Sequence, residues 1–132
     1  MAENATVKIL MVEDEQNFAE ILSTKLEKEG FDVIVAQNGE LGVAAAKELK
    51  PDLILMDIKM PVMNGIEAFY KLKDDPQTAG IKLIFLTNYG EPDKEATWLD
   101  EKFSREIGAT DYIKKTDDLS KIVGEIRRVL EQ

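Results

Sequence analysis

Short apolar runs alternate along the chain with longer segments in which apolar residues recur every three or four positions. Gly, Pro, Asn or Asp marks each junction. A short continuous apolar run is typical of a buried strand, and a spacing of three to four is typical of a helix. The pattern therefore predicts repeated strand–helix units. The predicted strands are 7–12, 31–36, 53–56, 83–86 and a segment around Tyr112-Ile113.

Each segment between the predicted strands carries one apolar face. We expect the first helix to end at Gly30 as a C-cap, and the second, which is rich in alanine, to end before Pro51. The residues predicted on these faces are Phe18, Ile21, Leu22 and Leu26 in the first helix, Ile66, Phe69 and Leu72 in the third, Trp98, Leu99, Phe103 and Ile107 in a long fourth, and Leu119, Ile122, Val123, Ile126, Val129 and Leu130 in the last.

The first, third and fourth strands are apolar throughout, which is typical of parallel strands covered by helices on both faces. The predicted fold is α/β, a doubly wound five-stranded parallel sheet of the flavodoxin-like type, with strand order 2-1-3-4-5 and helices on both faces. The chain has 132 residues, of which 44% are hydrophobic, enough for the core of one domain. We expect one domain over 7–132, preceded by a flexible tail over 1–6.

Composition narrows the function. A formal charge of −9 makes binding to nucleic acid or an anionic membrane surface unfavourable. The chain has no cysteine and no histidine, which excludes a thiolate nucleophile and imidazole metal ligands. Neither a signal peptide nor an apolar stretch long enough to cross a bilayer is present, so a cytoplasmic location is predicted.

Polar residues follow four of the predicted strands. Glu13 and Asp14 follow the first strand, Asp57 the third, Thr87 the fourth and Lys115 the fifth. Because the carboxyl ends of parallel strands share one edge of a sheet, these side chains should converge there. Clustered carboxylates raise one another's pKa unless a cation lies among them. The sequence therefore predicts a site for a hard divalent cation held by oxygen, most simply Mg²⁺.

These groups suit phosphoryl transfer, in which a protein mainly positions reactants and neutralises charge. Asp57 is the predicted nucleophile and would carry the phosphoryl group as an acyl phosphate. Glu13 and Asp14 would hold Mg²⁺ together with Asp57. Lys115 would pair with one phosphoryl oxygen, and the Thr87 hydroxyl would donate to another. Because the sequence offers no base for rapid hydrolysis, the predicted product is a persistent phosphoaspartate.

In order and spacing, these residues resemble a bacterial two-component response-regulator receiver domain, of the kind that stands alone as a single-domain response regulator. The resemblance includes the acidic pair Glu13-Asp14, Asp57, the turn 60–65, Thr87 and the segment 108–115 that ends in Lys115. It implies phosphotransfer to Asp57 from a phosphohistidine on a sensor histidine kinase or a histidine phosphotransfer protein. It also implies a downstream target protein, and self-catalysed phosphorylation with slow self-dephosphorylation rather than enzymatic turnover.

The resemblance assigns further roles. The backbone carbonyl of Lys59 is implied as a metal ligand, and Thr87 and Tyr112 as switch residues that move inward after phosphorylation and reshape an interaction face. Thr116 stands where the family usually has proline, so we expect a trans or a strained bond after Lys115. Tyr89 lies two positions after Thr87, beside the path that attacking water takes in the family, so we expect it to slow loss of the phosphoryl group.

Other function classes remain open from sequence alone. A Mg²⁺-dependent phosphatase with an aspartate nucleophile would use similar chemistry, but Ile58 and Lys59 follow Asp57 where a second carboxylate would be needed. A flavin-binding electron carrier could share the fold, but acidic residues follow the first strand where a phosphate loop would lie. A receiver-like interaction module without phosphorylation is the third alternative.

Overall fold

The computed structural model describes residues 6–88 and 111–132. It contains one five-stranded sheet with all pairings parallel and strand order β2-β1-β3-β4-β5, which confirms the predicted fold class. The strands are β1 (Lys8–Val12), β2 (Asp32–Ala36), β3 (Leu53–Asp57), β4 (Lys82–Thr87) and β5 (Asp111–Lys114). The helices are α1 (Gln16–Lys28), α2 (Gly39–Leu49), α3 (Gly65–Asp74) and a C-terminal helix (Leu119–Leu130).

The strand order reverses between β1 and β3. From β1 the chain moves outward to β2, then crosses back to place β3 on the other side of β1, with Val12 paired to Met56. In open parallel sheets, a crevice forms beyond the carboxyl ends of the strands at such a reversal. We call the end of the sheet where the strands finish the carboxyl edge, and the opposite end the amino edge.

Two apolar clusters cover the two faces of the sheet. One packs α1 and the C-terminal helix against the sheet, and the other packs α2 and α3 against the opposite face. The central strands contribute to both clusters, and every residue of β3 is buried. Burial on both faces explains why these strands are apolar along their whole length. The two clusters together hold the carboxyl ends of the strands in fixed positions.

Local features fix where the helices begin and end. The C-cap residue of α1 is Glu29, and the predicted Gly30 lies one position beyond it with φ of +96°, the left-handed conformation in which glycine ends a helix. The Asn64 side chain accepts from the Glu67 N–H while the Glu67 side chain accepts from the Asn64 N–H, forming a capping box at the start of α3. A side chain at Gly65 would collide with the Asp57 carbonyl oxygen, so only glycine lets α3 begin so close to β3.

One predicted core position is wrong, and several predictions lie outside the described residues. Leu22 and Leu26 are buried in α1, but the Ile21 side chain is 56% exposed because it lies at the flank of the apolar stripe rather than at its centre. The tail over 1–5, Tyr89 and the helix predicted in 92–107 fall outside the described ranges. Within those ranges, none of the helices has the length and apolar character needed to span a bilayer.

Candidate functional site

The carboxyl edge brings the predicted polar residues together. Glu13 and Asp14 directly follow β1, Asp57 is the last residue of β3, and Thr87 is the last residue of β4. Lys115 directly follows β5, and its N–H donates to the Thr87 carbonyl oxygen at 2.8 Å. Parallel pairing thus brings residues as far apart in the chain as Glu13 and Lys115 to the same edge of the sheet.

Glu13, Asp14 and Asp57 form an acidic cluster. Each can offer one carboxylate oxygen such that the three oxygens lie within 4.8 Å of one another. Asp57 is 3% exposed and Glu13 1% exposed, whereas Asp14 is open to solvent. The cluster therefore has two oxygen donors below the surface and one at its mouth.

Lys115 reaches into this acidic cluster from the far side of β4. Its Nζ lies 3.3 Å from Asp57 Oδ2 and 2.8 Å from Glu13 Oε1, and it donates to Glu13 Oε2 at 2.9 Å. Its side chain is 6% exposed, and Nζ lies 5.3 Å from the centre of the Phe18 ring. The predicted point charge is therefore already engaged by carboxylates and by an aromatic face.

Glu13 is held by backbone as well as by side-chain contacts. Its N–H donates to the Ala36 carbonyl oxygen at 2.9 Å, and its Oε2 accepts from the Glu15 N–H at 2.9 Å. Its Oε1 is fully buried and has no hydrogen-bond partner, although it lies 2.8 Å from Lys115 Nζ. The short distance marks an ionic contact that lacks hydrogen-bond alignment, so this oxygen retains coordinating capacity.

Burial and charge perturb both ionisable partners. Burial is the main cause that raises the pKa of Asp57 to about 8, and the Glu13 charge adds to it, while Lys115 opposes the rise. For Lys115, burial acts to lower the pKa, but the hydrogen bond with Glu13 and the negative charge of Asp57 outweigh it and raise the pKa above its ordinary value. The pKa of Asp57 thus shifts in the direction predicted for clustered carboxylates, although burial contributes more to the shift than the Glu13 charge does.

The residues present fit a divalent cation. The acidic cluster of Glu13, Asp14 and Asp57 has a formal charge of −3 when ionised, and Lys115 reduces the sum to −2. The donor atoms are all oxygen, which suits Mg²⁺. The buried Glu13 Oε1 accepts no hydrogen bond, so it could coordinate an ion without losing one. A divalent ion would balance this excess charge and oppose the rise in the Asp57 pKa that burial and the Glu13 charge cause.

The remaining predicted site residues lie nearby, but their roles stay predictions. Thr87 is 4% exposed at the end of β4, next to the strand that ends in Asp57. Tyr112 lies in β5, pairs with Phe85 of β4, and packs, half-buried, against the apolar cluster beneath α2 and α3. Lys59 lies two residues past Asp57 with its side chain exposed. The bond between Lys115 and Thr116 is trans, one of the two expected outcomes, and no described residue follows a cis bond.

Comparison with known proteins places this geometry in a family. The sequence model of one protein family, the response regulator receiver domain, matches residues 9–127 of this chain. The chain belongs to that family. Its members act as phosphoacceptors in two-component signalling, and that role holds for this receiver domain.

Individual relatives agree with the assignment. Protein PilH of Pseudomonas aeruginosa is 38% identical over 93% of this chain and 97% of PilH. The phosphate regulon transcriptional regulatory protein PhoB of the same organism is 36% identical over 94% of this chain but only 52% of PhoB. The receiver domain therefore spans about half the length of PhoB and nearly the whole of PilH.

Solved structures match the fold closely. A putative response regulator from Chloroflexus aurantiacus superposes with a TM-score of 0.86 at 25% identity, covering 97% of this chain and 100% of that one. The chemotaxis protein CheY4 of Vibrio cholerae gives 0.80 at 26% identity, covering 95% of this chain and 99% of that one.

Two contacts of the site were not predicted from sequence. Glu15 lies with its Oε2 3.6 Å from Lys115 Nζ, although an acidic residue before a helix normally indicates a helix-start role. Lys115 also contacts both oxygens of Glu13, so its charge is already paired before a phosphoryl group is present. The excess of acidic over basic residues at the strand ends is the one signal in the sequence that a lysine there would already be paired.

Proposed function

We propose that Asp57 is the phosphoacceptor of this receiver domain and that a phosphohistidine is the donor. The observation that carries the proposal is the position of the buried Asp57 carboxylate, 3.3 Å from Lys115 and within the acidic cluster formed with Glu13 and Asp14. A nucleophile, a cation for the phosphoryl oxygens and carboxylates for a metal ion are the parts that phosphoryl transfer needs.

The transfer exchanges one bond for another. A carboxylate oxygen of Asp57 forms a bond to phosphorus as the bond from phosphorus to the imidazole nitrogen breaks. The imidazole leaves with the electron pair of that bond and takes up a proton, and Asp57 becomes an acyl phosphate. Lys115 lies beside the attacking carboxylate, where its ammonium can pair with a phosphoryl oxygen, and the hydroxyl of Thr87 can donate to another.

Mg²⁺ would be held by Glu13, Asp14 and Asp57 and, as the family resemblance implies, by the Lys59 carbonyl. When bound, it neutralises phosphoryl oxygens and stabilises the ionised carboxylate. The protein's own contribution is to keep Asp57 buried next to Lys115, so that the nucleophile and the charge it needs are oriented before the donor arrives.

The other predicted function classes are less well supported. The family match sets aside the flavin carrier and the phosphatase. An interaction module without phosphorylation would not need two buried carboxylates and a buried lysine, whose desolvation opposes folding. We propose that the domain catalyses its own phosphorylation without turning over a substrate as an enzyme does.

The proposed partners are a domain that carries the phosphohistidine, on a sensor histidine kinase or a histidine phosphotransfer protein, and a downstream protein that recognises the phosphorylated form. PhoB is a transcriptional regulator by name, but the shared region covers only part of it. For this chain we propose signalling through protein contacts, without direct binding to nucleic acid, because its formal charge is −9. A cytoplasmic location remains a prediction.

Intact mass spectrometry after incubation with a small phosphodonor and Mg²⁺ tests the proposal. The wild type should gain one phosphoryl group, and Asp57→Asn should gain none. Asp74→Asn, which removes an exposed carboxylate from the end of α3, is the matched control and should react like the wild type. Phosphorylation of Asp57→Asn to the same extent as the control would contradict the assignment.

A separate test addresses how long the phosphoryl group persists. If Tyr89 obstructs attacking water, Tyr89→Ala should shorten the half-life of the phosphorylated protein, followed by mass after removal of the donor. Tyr70→Ala, an exposed tyrosine on α3, is the control for loss of an aromatic side chain. An unchanged half-life in Tyr89→Ala would refute the role of this residue.

A further inference from the structure

Glu15 occupies the N-cap position of α1, but it does not cap the helix. Its backbone is extended, with φ of −82° and ψ of 102°, and its side chain makes no capping hydrogen bond. Its Oε2 instead lies 3.6 Å from Lys115 Nζ. An N-cap carboxylate normally accepts from the exposed N–H groups of the first turn. Here the side chain is directed to the site instead.

The three carboxylates around Lys115 differ in exposure. The side chains of Glu13 and Asp57 are 0% and 5% exposed, whereas that of Glu15 is 57% exposed. Glu15 is therefore the member of this group on the solvent side of the ammonium. Its position is secured at the backbone, because the Glu15 N–H donates to Glu13 Oε2 at 2.9 Å.

This position has two consequences for an incoming phosphodonor. A phosphoryl oxygen that pairs with Lys115 must compete with the Glu15 carboxylate for the same ammonium. An anionic donor must also pass the negative charge of the exposed Glu15 carboxylate, which adds to the charge of the buried acidic cluster. Both effects oppose small anions most, because a donor carried on a protein domain can offset them with contacts made elsewhere.

We propose that Glu15 is a positioning and specificity residue, which holds Lys115 and lowers the reactivity of Asp57 towards small anionic phosphodonors relative to a protein-bound phosphohistidine. The proposal rests on Asp57 being the phosphoacceptor. Glu15 acts through Lys115 and through its charge.

The test is the rate of phosphorylation of the full chain at saturating Mg²⁺, followed by intact mass. With a dianionic acyl phosphate as donor, Glu15→Gln should react about threefold to tenfold faster than the wild type, the effect of removing one charge a few ångströms away in water. Glu20→Gln, which removes an exposed charge from the same helix, is the matched control and should change the rate less than twofold. The Mg²⁺ affinity of each variant is measured first, so that saturation is assured.

Two further readouts separate charge from a merely structural role. The advantage of Glu15→Gln should shrink at 1 M salt, where the screening length is about 3 Å, and it should be smaller with phosphoramidate, a donor of lower charge. Glu15→Asp keeps the charge but shortens the reach to Lys115, so its rate should fall between those of the wild type and Glu15→Gln. It also serves as the second variant should Glu15→Gln fold poorly by circular dichroism.

The outcomes are distinguishable. A rate for Glu15→Gln equal to that of Glu20→Gln, a slower rate, or an advantage independent of salt and donor charge would overturn the role of Glu15 while leaving Asp57 as the acceptor. A phosphoryl group that enters Asp57→Asn as readily as the wild type would overturn the proposed function itself, and the role of Glu15 with it.

Discussion

Two lysines at opposite edges of the sheet show how differently the two ends are built. At the amino edge, Lys82 Nζ donates to the carbonyl oxygens of Val129, Leu130 and Gln132 at 3.0, 3.3 and 2.6 Å. At the carboxyl edge, Lys115 Nζ contacts the carboxylates of Glu13, Asp57 and Glu15. Lys82 meets main-chain oxygens at the end of a helix, where a positive charge is favourable. Lys115 meets more negative charge than it can neutralise.

The difference separates stability from function. At the amino edge the described charged groups have protein partners, since the backbone N–H of Lys8 also donates to Asp52 Oδ2 at 2.8 Å and ties β1 to the start of β3. The carboxyl edge carries a buried Glu13 oxygen without a hydrogen bond and an Asp57 whose pKa burial raises to about 8. Such an arrangement is stable only because the rest of the fold supports it, and it gains from binding a cation.

The largest expected effect comes from removing the cation at the carboxyl edge. Lys115→Met should lower the free energy of unfolding by about 4 kcal/mol without Mg²⁺, because the buried Glu13 carboxylate loses its only described counter-charge and Asp57 loses a neighbouring donor. With Mg²⁺ the loss should be smaller, since the ion would replace part of the missing charge. Urea unfolding followed by circular dichroism measures both values.

Lys121→Met is the control for this change. Lys121 also pairs with a carboxylate, that of Asp117 at 3.8 Å, but its side chain is 64% exposed. An exposed pair of this kind contributes about 0.5 kcal/mol or less. An equal loss in the free energy of unfolding for Lys115→Met and Lys121→Met would show that the buried charges at the carboxyl edge do not depend on Lys115.

Removing an acidic group at the same edge should stabilise the fold rather than destabilise it. Asp57→Asn should raise the free energy of unfolding at pH 7 without Mg²⁺ by roughly 3 kcal/mol, because the variant no longer has a carboxyl that must take up a proton on folding at that pH. Urea unfolding at several pH values measures the difference between variant and wild type. With Mg²⁺ present the advantage should shrink or reverse, since the ion binds the carboxylate.

The sign of the pH dependence follows from the two states of Asp57. Its pKa is 3.8 as an ordinary carboxyl and about 8 in the fold, so between these values the folded state binds more protons than the unfolded state. The contribution of this group to stability is fully present below about pH 4 and is lost as the pH rises to about 8. The advantage of Asp57→Asn should grow across that window, and an advantage independent of pH would contradict the shifted pKa.

The contrast between the edges also explains what the sequence could predict. The strands and their parallel packing between two helical layers follow from apolar runs and helical spacing, because burial on both faces leaves a direct mark on residue type. The strand order was predicted by analogy with known doubly wound folds. Ile21 was the exception among the described core positions, since it lies at the flank of the apolar stripe, where spacing alone does not separate buried from exposed residues. The approximate location of Asp57 at a strand end was likewise readable.

The pairing within the site was less predictable. That Glu13, Asp57 and Lys115 share one edge follows from topology. That Lys115 binds both oxygens of Glu13, and that Glu15 turns away from its helix to join it, depends on side-chain distances of a few ångströms. Local rules assign Glu15 to the helix start. A contact across about a hundred residues has no local signature.

At the amino edge, Lys82→Met should lower the free energy of unfolding by about 1.5 kcal/mol, because the last carbonyls of the C-terminal helix lose a charged donor. In contrast to Lys115→Met, the loss should be the same with and without Mg²⁺. Lys47→Met is the control, since Lys47 is half exposed in its 3.6 Å pair with Asp75 and should change stability little. Urea unfolding of both variants gives the comparison, and a Mg²⁺-dependent loss in Lys82→Met would show that the edges are not independent.

The smallest expected effect concerns backbone strain, which also differs between the edges. Val62, in the turn after β3 at the carboxyl edge, has φ of 68° and a side chain that is 73% exposed. A β-branched residue is strained in this conformation, whereas asparagine tolerates it. Val62→Asn should therefore raise the free energy of unfolding by about 1 kcal/mol. At the amino edge, Lys50 also has a positive φ of 47°, but it is unbranched and ends α2. Lys50→Asn should therefore raise the free energy of unfolding by less than Val62→Asn does, in the same urea titration. A larger increase for Lys50→Asn would show that the greater backbone strain lies at the amino edge.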